Sequence, residues 1–265
     1  MTIANWKLKF QCRRPRSHRR EEADARANVN VSASSRRRLQ LLRPLLASVI
    51  ALVVSPAFFT VAAELPSSLA RPVSAEKAPD ADGFIQRWLI LEPIRTNTAL
   101  TDNAVQAAVK ANYFSNQFTV IPHDGDKVTV QGTELTWHAV DTKEYNVNLY
   151  HFAHALGAPT SFVLFWAVTV VNCPQDLSGV RLAIGSNASS VWWVNGAEVI
   201  GIYGDRQTVI DDGVSKRLTL KKGPNIVRCA VVNGGGATDF CARLLDRDDK
   251  PLTGFTVTVN DAKRP

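Results

Sequence analysis

Apolar residues recur along this chain in short runs that alternate with polar ones, and the period is closer to two than to 3.6. From Val191 to Asp246 the runs are broken by Asn195-Gly196, by Lys221-Lys222-Gly223-Pro224-Asn225 and by Asn233-Gly234-Gly235-Gly236. Each is a tight-turn signal between antiparallel strands. Strands are predicted over residues 84–91, 118–121, 127–130, 135–140, 147–152, 162–171, 180–184, 191–194, 198–202, 215–220, 225–232, 240–245 and 255–259. The run 162–171 is apolar at nearly every position, as expected of a central strand covered on both sides or capped by loops. One stretch departs from the pattern. Thr101 as N-cap, with Leu100 set against Val105, opens a short helix that carries Val105, Ala108 and Val109 on one stripe and ends near Phe114. Short strands at this spacing with one short helix predict an all-β chain folded as a β-sandwich.

Charge changes the picture only at the N-terminus. The formal charge is +7, but the first 63 residues hold twelve Lys/Arg against three acids, leaving nineteen bases against twenty-one acids in the rest. A basic nucleic-acid face is therefore excluded from the folded part. The order Arg36-Arg37-Arg38, Arg43, an apolar run from Leu45 to Phe59, and Val61-Ala62-Ala63 is that of a signal peptide cleaved after Ala63. An uncleaved leader is the one route to a membrane, since Leu45 to Ala63 is long enough to span a bilayer. The polar, Arg-rich preface to this leader is unusually long, and the first ~30 residues are expected to be a start-site artefact. The predicted organisation is a leader over residues 1–63, a disordered linker rich in Pro, Ala and Ser over 64–82, and the sandwich over 83–265. The product is exported, to a periplasmic or extracellular location. Beyond the leader only Cys173, Cys229 and Cys241 remain. The odd number argues against a disulfide framework, and alternation turns Cys229 inward and Cys241 outward, so all three are expected to be free.

With the strands placed, a resemblance appears over almost the whole chain after the leader. Trp88-Leu89-Ile90-Leu91-Glu92-Pro93-Ile94 resembles the W-L-V-x-G-P-F opening of jelly-roll modules with a galactose-binding-domain-like fold. Trp137, Val191 to Val199, Leu218 to Asn225 and Phe240 to Asp246 resemble their later strands. Such modules accompany bacterial glycoside hydrolases and acetylxylan esterases and often bind sugars. The resemblance therefore implies a jelly-roll β-sandwich and a carbohydrate partner, here a plant-type polysaccharide or oligosaccharide. The chain departs from the pattern in carrying Glu92 where glycine is usual and in having no attached catalytic domain.

The candidate chemistry lies in and after the Trp192-Trp193 pair. Asn195-Gly196 suits a two-residue turn with positive φ at both positions, so the two indoles point to opposite faces. One is core and the other is a candidate exposed platform for the C–H face of a sugar. Tyr203-Gly204-Asp205-Arg206-Gln207 joins an aromatic ring to a guanidinium able to hold vicinal hydroxyls or a uronate by paired hydrogen bonds. The candidate ligand-binding residues are Trp192, Trp193, Asn195, Tyr203, Arg206 and Asn233. Asp211-Asp212-Gly213 supplies too few oxygens for calcium and reads as a turn. His151 and His154 reach one metal only if they sit on a helix, whereas the alternation before them reads as strand. No G-x-S-x-G or Gly-Asp-Ser start is present, leaving His123, His138, Asp124 and Asp141 without a nucleophile to serve. The expected function is a non-catalytic carbohydrate-binding module with no cofactor and no metal. The alternatives are a polysaccharide-active hydrolase such as an acetylxylan esterase, and a structural or protein-binding sandwich.

Overall fold

The computed structural model describes residues 68–259. In chain order it contains β1 (Leu69–Ala70), β2 (Arg87–Leu91), β3 (Ile94–Arg95), α1 (Asp102–Lys110), β4 (Lys127–Val130), β5 (Thr133–Thr142) and β6 (Val147–Asn148). There follow α2 (Leu149–Ala155), β7 (Val163–Cys173), β8 (Leu177–Asn187), β9 (Ser189–Val194), β10 (Ala197–Ile202), β11 (Gly213–Val214), β12 (Leu218–Leu220), β13 (Gly223–Asn233), β14 (Asp239–Leu245) and β15 (Thr256–Thr258). A ten-stranded sheet runs β1-β5-β2-β7-β13-β9-β10, with β3 and β15 also bonded to β7 and β4 to β5. A five-stranded sheet runs β11-β8-β14-β6, with β12 on β8. Every pairing is antiparallel. The protein is an all-β sandwich.

The two sheets enclose an inner core. Trp88 of β2 and Trp192 of β9 meet Phe240 of β14 edge-on, with ring centroids 5.0 Å apart for Trp88–Phe240 and 5.5 Å for Trp192–Phe240. Both indoles are satisfied there, Trp88 Nε1 donating to the Ile85 carbonyl and Trp192 Nε1 to Ser190 Oγ, each at 2.8 Å. The opposite face of the large sheet is just as apolar. Leu89, Trp137, Trp166, Trp193 and Ala230 point there, covered by Val105 and Val109 of α1 and by Phe114 and Phe118 from the segment that follows it. Of the run 162–171 predicted to be covered on both sides, residues from Val163 onward fall in β7, which is buried at every position but Asn172, whereas Phe162 lies outside the strand and is exposed.

Several elements differ from the pattern-based expectation. Among the described residues there are two helices rather than one, because residues 149–155 form α2 instead of continuing the strand at Val147. Asn148 caps it, its side chain accepting from the His151 N–H at 2.8 Å, while Leu149, Phe152 and Ala153 make its buried stripe. Gly157, at φ 64, ends it in a Schellman turn in which the N–H groups of Gly157 and Ala158 reach the carbonyls of His154 and Ala153. Helix α1 stops at Lys110, and the expected strand at 118–121 is a turn built on Asn116, whose carbonyl accepts from both Thr119 and Val120 at 2.8 Å. Residues 68–82, expected within the linker, are tied to the sheet. Leu69 pairs with Thr142, Lys77 bridges to Val257, and the buried Arg87 grips the Ser74 carbonyl while holding Asp141 through both carboxylate oxygens at 2.8 and 2.9 Å. The leader at 1–63 and residues 64–67 lie outside the described residues.

The outer layer contains one buried charge with no acidic partner. Arg228 of β13 is 1% exposed and donates to the backbone carbonyls of Gln117, at 2.6 Å, and Val120. Burial pushes its pKa down to about 10, which measures how strongly the site disfavours the cation that nevertheless closes the 112–126 segment onto the sheet. Arg228→Met removes both charge-assisted bonds and leaves the buried Gln117 carbonyl and the partly buried Val120 carbonyl without these donors. A loss of about 3 kcal/mol is expected in chemical unfolding, with faster amide exchange concentrated in residues 112–126. Unchanged exchange there would show that the latch is not Arg228.

Cys173, Cys229 and Cys241 are free and buried. Cys229 points into the inner core as expected. Cys241 faces away from that core but is covered rather than exposed, because the loop after β10 lies over it: a Cβ on the adjacent Gly185 would stand 3.1 Å from Cys241 Sγ and 2.1 Å from the Val209 carbonyl oxygen. Burial pushes the Cys241 thiol up to about 12 from an ordinary 9.0, and that of Cys229 well above it. A raised folded pKa favours the protonated native state, so stability is complete below the unfolded value and falls as pH rises through it. Between pH 9 and 10 the protein should lose about 1 kcal/mol through Cys241, read from unfolding curves, with Cys229 acting in the same direction. Cys241→Ala should flatten the slope in the same window.

Candidate functional site

The six predicted ligand residues do not form one constellation. Trp192 lies in the inner core and Trp193, at 5% exposure, in the outer one, where its ring meets Phe118 and Trp166 at 5.5 Å. Neither offers an exposed platform, because the large sheet is covered on both faces. The Asn195-Gly196 turn has the predicted positive φ values of 49 and 82, but the Asn195 side chain is spent on the turn itself, bonding the Ile226 N–H at 2.8 Å and Asn225 at 3.0 Å. Asn233 stands seven residues further along β13 than Ile226, roughly 23 Å away at the opposite end of the sheet. It too is structural, 1% exposed, donating to the Thr160 carbonyl and accepting from the Gly235 N–H. Tyr203 packs its ring against the outer core and accepts from Gln106 Nε2 at 2.6 Å.

Arg206 is the one predicted residue left at an accessible polar site, and the structure supplies it with neighbours from other elements. The loops after β10 and β13 converge on Asn187 at the end of β8. Its carboxamide, with the nitrogen turned toward both loops, donates to the carbonyls of Arg206 at 3.0 Å and Ala237 at 2.9 Å. Arg206 is held by Asp212 and by the Tyr203 carbonyl, not by Asp205. Thr208 donates to Asp239, whose other oxygen takes the Asn146 amide at 2.8 Å. Two buried polar atoms in this cluster have no partner, Arg206 Nε and Thr238 Oγ1. In the same loop Val209 and Ile210 are 57% and 44% exposed. Tyr150 of α2 joins the cluster through its N–H on the Thr238 carbonyl and stacks on His154 with centroids 6.2 Å apart. Asn187, Thr208, Thr238 and Asp239 were not legible as site residues, since each is an ordinary turn or strand-end residue until the sheets bring them together.

The other candidate chemistries resolve into local contacts. Asp211 pairs with Arg243 through both oxygens and Asp212 with Arg206, so neither carboxylate is free for a cation. His151 and His154 do share a helix, but among the described residues no group of three or more His, Cys, Asp or Glu is placed to hold a metal. His123 and His138 bond Asp126 at 3.3 Å and Glu92 at 3.0 Å rather than a serine hydroxyl. Asp124 accepts from the Ala139 N–H, and Asp141 belongs to Arg87. Glu92, the departure from the resembled motif, thus has a role of its own: it also accepts from the Thr136 N–H and ties β5 to the end of β2. Among the described residues no helix is long and apolar enough to cross a membrane.

No protein-family model matches the chain, and no curated protein matches it. Solved structures to which the chain is similar include a PA14 sugar-binding domain from an RTX adhesin, 13% identical over 64% of this chain and 96% of that one, with a TM-score of 0.36. The PA14 domain of the MpAFP antifreeze protein is 12% identical over 70% of this chain and 95% of that one, at a TM-score of 0.34. A β-glucosidase from Kluyveromyces marxianus in complex with glucose is 23% identical over 47% of this chain, at a TM-score of 0.32, and the match spans 16% of that enzyme's length.

Both indoles of the pair are now core residues. Trp193→Ala and Trp192→Ala should each cost about 3 to 5 kcal/mol and lower the melting temperature sharply. A Trp193→Ala protein that melts like wild type would mean that the outer layer is not closed over the sheet in solution.

Proposed function

We propose that the protein is an exported, non-catalytic carbohydrate-binding module, galactose-binding-like in architecture, that recognises plant-type polysaccharide at the loop end of the sandwich. The observation that carries this reading is the convergence there of Arg206, Asn187, Thr208, Asp212 and Asp239 from three connections, with Arg206 Nε and Thr238 Oγ1 unpartnered. Such a set of donors and acceptors beside the exposed Val209 and Ile210 matches a ligand with hydroxyls on its rim and a C–H face. The guanidinium suits a uronate, whose two carboxylate oxygens match its fork spacing.

The test is calorimetric titration with soluble plant polysaccharides, including oligogalacturonate. Arg206→Ala should weaken oligogalacturonate binding by about ten- to a hundredfold, the size of a lost charge-assisted hydrogen bond, while the melting temperature stays near wild type. Binding unchanged in Arg206→Ala would remove the loop end as the site, and a wild-type protein that binds no polysaccharide would end the carbohydrate reading.

A further inference from the structure

Beyond the loop end, a cleft of about 490 Å³ lies between residues 112–115 and the strand β4. Its lining is Asn112, Tyr113, Phe114, Ser115, Val128 and Thr129. The volume falls within the range of small-ligand sites. We propose that this cleft is a second saccharide site, one that takes a neutral sugar residue against the ring of Tyr113.

Three features of the cleft point to that ligand. Its lining combines a half-buried phenol ring, a carboxamide and two hydroxyls, the mixture that a sugar ring with one C–H face and several equatorial hydroxyls requires. No charged side chain lines it, and Lys127 beside it is paired with Glu134 at 2.6 Å, so a carboxylated sugar finds no free cation there. Burial raises the Tyr113 pKa, so the phenol is a neutral O–H at any physiological pH.

Second, β4 bonds to β5 alone among the described residues, and its outer edge keeps backbone donors and acceptors available to hydroxyls. Third, Phe114, one wall of the cleft, packs edge-on against Trp137 and Trp166 at 6.2 and 6.4 Å. Both indoles are fully buried and neither Nε1 has an acceptor. The indoles do not line the cleft but lie behind Phe114, which they hold in place as a fixed apolar wall against which a sugar's C–H face can pack. The site is distinct from the loop end: β5, which carries β4, lies four strand spacings, about 19 Å, from β9.

The experiment is calorimetric titration of the protein with xylohexaose and cellohexaose as neutral probes and hexagalacturonate as the acidic one. Tyr113→Ala should weaken neutral-probe binding about tenfold, the loss of one aromatic face. The double variant Asn112→Ala, Ser115→Ala changes only exposed side chains and should weaken it severalfold without touching the core, so a folding defect in Tyr113→Ala leaves the question decidable. Arg206→Ala should leave neutral-probe binding intact. Neutral-probe binding that survives in both cleft variants, that disappears in Arg206→Ala, or that is absent from wild type overturns the proposal. Loss of hexagalacturonate binding in Arg206→Ala tests the loop end separately, so either site can fail without the other.

Discussion

A ten-stranded sheet that is apolar on both faces must be covered on both, and the rest of the fold follows from that requirement. The inner face is covered by the five-stranded sheet, through Phe240 and its neighbours on β14. Among the described residues the outer face has no second sheet to meet it. Helix α1 is only nine residues long and covers part of the surface, and irregular backbone between Ala111 and Asp126 covers the rest. Irregular backbone over a core carries polar groups that need partners. Arg228 meets that need, its guanidinium reaching up from the sheet to two of the carbonyls. A buried cation without a carboxylate costs solvation, and its donors recover part of that cost by fixing the layer above.

This two-faced burial also decides where recognition can occur. Trp88, Trp137, Trp166, Trp192 and Trp193 are all consumed by the two cores. Charged groups pair beyond their immediate sequence neighbours: Arg206 with Asp212 within one loop, Arg243 of β14 with Asp211 of that loop, and Arg87 with Asp141 across β2 and β5. Arg243 also lies over the Phe84 ring at 5.0 Å, so the loop containing Asp211 is bound to the small sheet through a side chain that is itself stacked. The polar rim is therefore built on side chains whose geometry is held from two sides, the condition for binding without much ordering on contact.

Strand content and turn positions were legible because period-two alternation and Asn-Gly chemistry are local. The Asn195-Gly196 turn and the burial of β7 follow from residues within a few positions of each other. Helix α2 was missed although its signals were present: Asn148 as cap, Leu149, Phe152 and Ala153 at helical spacing, and Gly157 as the stop. Val147 and Leu149 also fit a strand, and the shorter pattern prevailed. The exposure of Trp193 was misjudged for a different reason. Alternation gives the face a residue points to, not whether another segment lies over that face, and the cover here comes from residues 105–118, some eighty positions away. The site was legible at Arg206 alone, since Asn187, Thr238 and Asp239 become neighbours only through the pairing of β14 with β8.

The chain changes sheets at both ends of the sandwich, but the crossings from β7 to β8 and from β12 to β13 are tight whereas several at the loop end are long. The passages from β8 to β9, β10 to β11, α2 to β7, and β13 to β14 all join one layer to the other at the end marked by Asn187 and Asn233. A connection within one sheet can be a two-residue turn, as between β9 and β10, and leaves no side chains over for a ligand. A connection between sheets can be as short as the single residue between β8 and β9, and only the longer ones hold residues outside the ladders. Those residues, 203–212 and 234–238 above all, are the ones that carry Arg206, Thr208, Asp212 and Thr238. The loop end is polar, exposed and built from several connections at once because that is where the topology spends its chain length.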